Sequence, residues 1–218
     1  MEIESWWIEI CKRNDYDKWS GGYETIIECK KTLSMVDNEN KNIIIDYLTD
    51  ISINKGYRYA LALAVLTEHL NDNSLNKIYQ KASELRNDYK QDEHYYIKLL
   101  SVIGSYATDD KLDLVNEFLF DSKFNSNQSF IHWSLWPTNK DLFCKAYTYY
   151  FDNSEKWTEC AIVQAFMNNP EALSTLKTYL QENKRNKIWE ILRADLQKEL
   201  KKDFWDKTDK EKIKKAIK

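Results

Sequence analysis

Glycine and proline are nearly missing from this sequence, at four and two residues in 218. Tight β-hairpin turns depend on them, so a chain built from hairpins and sheets is not expected. Thiol and metal motifs are missing too. Cys11, Cys29, Cys144 and Cys160 lie at least 16 positions apart, which leaves no Cys-x-x-Cys and no zinc-knuckle spacing. The three histidines, His69, His94 and His132, fall in no HExxH or ExxH pattern. Gly21, Gly22, Gly56 and Gly104 are too few and too scattered for a phosphate-cradling loop. No apolar run approaches the roughly 20 residues of a membrane span. The opening MEIESWWIEICKRND places acids ahead of its apolar residues, unlike a secretion signal. These absences predict a cytoplasmic protein with reduced thiols, no membrane contact, and no catalytic group, metal or cofactor of its own.

What the chain does have is helical periodicity. Ile3, Trp6, Trp7, Ile10 and Cys11 follow the i, i+3, i+4, i+7, i+8 spacing of one buried helix face. Tyr23, Ile26, Ile27 and Leu33 mark a second helix, and Ile44, Tyr47, Leu48 and Ile51 a third, capped near Asp37 or Asn38. YRYALALAVLTEHL (57–70) is apolar on nearly every side, as a helix buried among neighbours should be. Ser74 is the cap expected for the next helix, and Asn169 with Pro170 marks another start. Residues 186–200 read as a long amphipathic helix, and 206–218 as a charged end that is frayed or weakly docked. A chain of this length can bury about 70% of its unfolded surface without staples. We therefore expect an all-α fold in one domain, 1–218. Its parts are N-terminal helices (1–56), repeat units (57–182), and a C-terminal helix with a basic tail (183–218).

The helices repeat. A shift of 37 places Tyr59 on Tyr96, Leu63 on Leu100, Val65 on Val102, Leu66 on Ile103, Leu75 on Leu112 and Ile78 on Val115. Further shifts of 30 and 31 continue less well, with Leu100 on Phe130, Ile103 on Trp133, Tyr106 on Trp136 and Leu142 on Leu173. Such a unit cannot bury its apolar face alone and needs neighbours to stack on. The pattern resembles the helical hairpins of the HEAT and armadillo class. That resemblance implies a right-handed α–α superhelix (solenoid) of about eleven short helices. The register leaves open which helices pair and which line a concave face.

Charge is divided along the chain. The net value is −3, yet residues 184–218 hold 13 Lys and Arg against 7 Asp and Glu. The preceding 183 residues hold 19 basic and 28 acidic side chains. An acidic body repels phosphate, so nucleic acid is not the expected partner. It suits a basic protein.

The stretch SFIHWSLWP (129–137) puts Phe130, Trp133 and Trp136 on one side of a helix, in positions the repeat fills with core residues. His132 falls where the other units carry valine and has no carboxylate within a turn to orient it. DDKLD (109–113) resembles the DDxxD magnesium motif of isoprenoid synthases, but the same acids stabilise a helix start, and that is the reading taken here. The candidate contact residues are Asp109, Asp110, Asp113 and Glu117, with His132, Trp133 and Trp136. The expectation is a non-enzymatic protein-binding scaffold, most concretely an immunity protein that neutralises a basic bacterial toxin domain such as a nuclease. The alternative is a helical-repeat enzyme of the alkylpurine DNA glycosylase type.

Overall fold

YALALAVL offers no polar face to water, and the fold surrounds it. This segment is helix α4 (Tyr59–Leu66), and α2 (Gly21–Met35), α3 (Asn38–Ile53) and α6 (Glu93–Tyr106) all pack on it. Ala62, Leu63, Val65 and Leu66 are each at most 1% exposed. The computed structural model describes residues 2–14, 21–106, 111–120, 135–136, 139–153, 166–167, 169–203 and 205–218. Among these residues there are eleven α-helices, one 3-10 turn and no strand, so the fold is all-helical. They divide into two compact units, Met1–Phe118 and Leu119–Lys218.

The first unit also contains α1 (Ile3–Arg13), α5 (Asp72–Leu85), the 3-10 turn Tyr89–Asp92 and α7 (Asp113–Leu119), whose last residue opens the second unit. Its packing alternates. Successive helices pair as α1 with α2, α3 with α4 and α5 with α6, while α2, α4 and α6 form one run of neighbours and α3 with α5 another. The 37-residue shift superimposes α4 on α6 and α5 on α7. It therefore cuts the chain one helix away from the pairs that pack most closely.

Helix starts follow from local chemistry. Asp37 caps α3 by accepting from the Asn40 amide at 2.9 Å. Asn71, not the expected Ser74, caps α5: its side-chain oxygen accepts from the Ser74 amide at 2.8 Å, which satisfies a first-turn N–H. On α2 the inward stripe is Thr25, Cys29 and Leu33, and Ile27 is left 47% exposed. Two long-range bonds close the unit's loops. Trp7 Nε1 donates to the Tyr57 carbonyl at 2.8 Å, and the Tyr95 hydroxyl donates to the Ser52 carbonyl at 2.6 Å.

The second unit is built on a hub. Helix α9 (Pro170–Glu182), with Pro170 at its start as expected, packs on α8 (Lys140–Asn153), α10 (Asn186–Glu199) and α11 (Lys207–Ala216). Its core is aromatic at one end. Phe166 lies 5.1 Å from Tyr147 and 6.3 Å from Phe143, and Phe143 lies 5.4 Å from Trp136. Of the two alternatives for the charged end, frayed or weakly docked, the structure shows a docked helix. Asp206 caps α11 by accepting from the Asp209 amide at 2.8 Å, and Ile213 and Ile217, four residues apart, are buried. The turn before it is held by Glu199, which is 5% exposed and accepts from Trp205 Nε1 at 3.1 Å. Lys202 pairs with the other Glu199 oxygen at 2.7 Å.

Candidate functional site

Asp113 and Glu117 stand one turn apart on α7, so both point to one side of it. That side meets α5. The Tyr79 hydroxyl donates to Asp113 Oδ1 at 2.9 Å, and the Arg86 guanidinium pairs with Glu117. Tyr79 and Arg86 are seven residues apart on α5, two turns on one face. The row continues toward α3, where Lys77 pairs with Asp50 at 2.9 Å and the Ser74 hydroxyl donates to Asp46 at 3.0 Å. A seam of carboxylates, hydroxyls and cations thus runs across α3, α5 and α7. Under its α7 end lies an aromatic cluster. Tyr89 stacks on Tyr96 with centroids 5.2 Å apart, and Phe118 meets them edge-on at 5.6 and 5.8 Å.

The electrostatics of this seam shift its tyrosines and its arginine upward. The hydrogen bond to the Asp113 carboxylate, followed by desolvation, raises the Tyr79 pKa, the wrong direction for a nucleophile or base. Burial pushes Tyr96 up to about 12. Arg86 is held charged above its ordinary value, first by its hydrogen bond to Glu117. The Arg86 and Glu117 side chains are 49% and 54% exposed, so the pair is half-solvated. A half-solvated carboxylate keeps lone pairs facing outward, and charged groups held in a row can steer and orient an oppositely charged partner.

The other candidate residues are placed differently. Trp136 belongs to the second unit, where its half-buried ring rests against Phe143 with Lys140 Nζ 5.0 Å from its centroid. Its neighbour Leu135 is fully buried. Asp109, Asp110, His132 and Trp133 lie outside the described residues. Arg86 and Lys77 were not among the residues singled out from sequence, and Tyr79 was read there only as part of the apolar face of its helix. Periodicity does not distinguish a solvated residue at the edge of that face from one that reaches across to the next helix.

Shallow clefts open among the described residues of each unit. One, of about 250 Å³, lies where α3 ends against α5 and is lined by Asn54, Lys77, Lys81 and Glu84. Another, of about 320 Å³, runs between α8 and α9 past Asp141, Cys144 and Tyr179. Burial pushes the Cys144 thiol up to about 12, so no thiolate is present there at neutral pH, and the Asp141 carboxylate is paired with Lys145 at 2.6 Å. Among the described residues no group of three or more His, Cys, Asp or Glu could hold a metal ion, and no helix is long and apolar enough to cross a membrane.

The two units differ in sign. Residues 1–118 carry 21 acidic and 14 basic side chains, and residues 119–218 carry 14 acidic and 18 basic. No protein-family model matches the chain, and no curated protein or solved structure compared with it does.

Proposed function

We propose that this chain is a non-enzymatic protein-binding scaffold whose acidic first unit grips a basic partner. In the most concrete form it is an immunity protein that neutralises a basic bacterial toxin domain. The observation that carries the reading is the acid excess of residues 1–118, borne on helices whose seam holds Asp50 against Lys77, Asp113 against Tyr79 and Glu117 against Arg86. Acid rows of this kind accelerate encounter with a cationic surface and fix its orientation. The alternating packing of α1 to α6, in pairs α1–α2, α3–α4 and α5–α6 with α2, α4 and α6 as neighbours, supports the finer fold proposal, a right-handed superhelix of HEAT-like hairpins.

The test is affinity capture from the native host, then reconstitution with the purified partner. The expected partner is basic, binds in fixed stoichiometry and loses its activity on binding. The double reversal Asp113→Lys with Glu117→Lys should weaken that complex at least about tenfold, chiefly through slower association at low salt. An acidic partner, or a complex indifferent both to the reversal and to salt, would overturn the proposal.

A further inference from the structure

The acid excess that argues against phosphate binding belongs to the first unit alone. Residues 207–218, at the far end of the second, hold six lysines and two acids. Their helix, α11, is docked through Ile213 and Ile217, which are 0% and 5% exposed. At about 100° per residue, Lys212 and Lys215 point away from that apolar side and Lys207 and Lys214 lie on its flank, all four exposed, while Lys210 shares the apolar side and is half-buried. The two acids are already engaged: Asp209 lies 3.8 Å from Lys212, and Glu211 lies 2.8 Å from Lys214. Among the described residues, Lys207, Lys210, Lys215 and Lys218 have no acidic partner. Lys214, then Lys207 and Lys215, hold the Glu211 carboxyl below its ordinary pKa, a sign of the positive field along this face.

We infer that the lysine face of α11 binds nucleic acid through its phosphates, without reading sequence. Three observations favour this over other anionic partners. First, the apolar side of the helix is used up in docking, so it cannot enter a bilayer as a basic amphipathic helix does. Second, the large apolar side chains exposed among the described residues, Ile27, Met35, Ile43 and Tyr57, all lie in the first unit, which leaves this face without an anchor for a protein hot spot. Third, lysines act as point charges, which suit the repeating charge of a phosphate backbone. A helix C-terminus favours one or two cations in its last turn, but Lys207 and Lys210 stand in the first turn, where the helix dipole disfavours them.

The full chain is titrated into a labelled random 20-base-pair duplex by fluorescence anisotropy, at salt from 50 to 200 mM. Four phosphate contacts give a log–log salt slope of about −3.6, so the affinity falls roughly 100-fold across that range. The triple variant Lys207→Gln, Lys215→Gln, Lys218→Gln removes only exposed side chains. It should lower affinity at 50 mM by at least about tenfold and bring the slope to about −1. The matching Lys→Arg triple should bind like the unaltered chain. A duplex left unbound at 50 mM salt overturns the inference, as does a Gln triple that binds undiminished or an Arg triple that fails to bind. Tighter binding to phosphatidylserine vesicles than to duplex at equal salt overturns it in favour of a membrane surface. This surface and the acidic seam lie on different units, so failure of the protein-partner proposal leaves this result standing, and the reverse holds.

Discussion

The two units solve the same problem, burying short amphipathic helices, in different ways. In the first, helices pack in successive pairs that are joined by an α2, α4, α6 run and an α3, α5 contact, and its largest fully buried side chains are mostly Leu and Ile, with Trp7 and Tyr95. In the second, three helices gather on α9, and Phe143, Tyr147, Tyr150 and Phe166 supply the largest buried side chains. Repetition is legible in sequence where packing is regular and aliphatic, because the same register recurs with side chains of similar volume. Around a hub each helix meets different neighbours, so its buried positions share no period. That is why the 37-residue shift works well across residues 57–118 and the later shifts degrade.

The contrast can be tested first with alkali. Burial raises Tyr95, Tyr96 and Tyr106 in the first unit from 10.0 to about 12, and raises Tyr147 and Tyr150 in the second well above 10.0. The folded chain therefore keeps phenol protons that the unfolded chain releases. This contribution is fully present below pH 10 and falls as pH rises through the folded values, by about 1.4 kcal/mol per group per pH unit. Between pH 10 and 12 three such groups weigh on α6 and two on α8, so protection from hydrogen exchange should fall more steeply with pH in α6 than in α8. A steeper fall in α8 would mean that the α6 tyrosines are less desolvated than their burial indicates.

Core truncation separates the units next. Phe143→Ala should cost about 3–5 kcal/mol and raise exchange in α8 and α9, while Leu66→Ala should cost about 2–5 kcal/mol and raise it in α2, α3 and α6. If Phe143→Ala proved the milder change in denaturant melts, the aromatic cluster would not be the main support of the second unit.

The smallest effect compares two helix ends of the same design. Lys55 after α3 and Lys184 after α9 both sit in the left-handed region, at φ 51° and 57°, where glycine is preferred. The Gly56 amide reaches the Ile51 carbonyl at 2.7 Å, and the Arg185 amide reaches Leu180 at 2.7 Å. Lys184→Gly should stabilise by about 0.5–1 kcal/mol. Lys55→Gly should gain less, since Lys55 also pairs with Asp92 and lies 4.6 Å from the Tyr95 ring centroid. Equal gains in thermal melts would mean those side-chain contacts contribute nothing.

Much of this fold was readable in advance, for reasons that differ by residue. The burial of Ala62, Leu63, Val65 and Leu66 within 57–70, the Pro170 start and the helix at 186–200 follow from composition and period alone. Ile27 was placed inward because it is apolar. The structure turns it out because Thr25, Cys29 and Leu33 complete a stripe at helical spacing on the other side, and a small polar residue fits that stripe. The high charge of 206–218 left fraying and weak docking both open, and two isoleucines four residues apart, with an aspartate cap, dock it. At the candidate surface, sequence located Asp113 and Glu117 but not their ties to Tyr79 and Arg86. Those ties depend on two helices whose juxtaposition no local pattern encodes.

Helix α4 carries a consequence for synthesis of the chain. Eight apolar residues emerge with no water-facing side, and one of the three helices that cover them, α6, follows about 30 positions later. A nascent or truncated chain that stops short of residue 93 therefore leaves that sticky segment partly bare, a target for chaperones and a seed for aggregation.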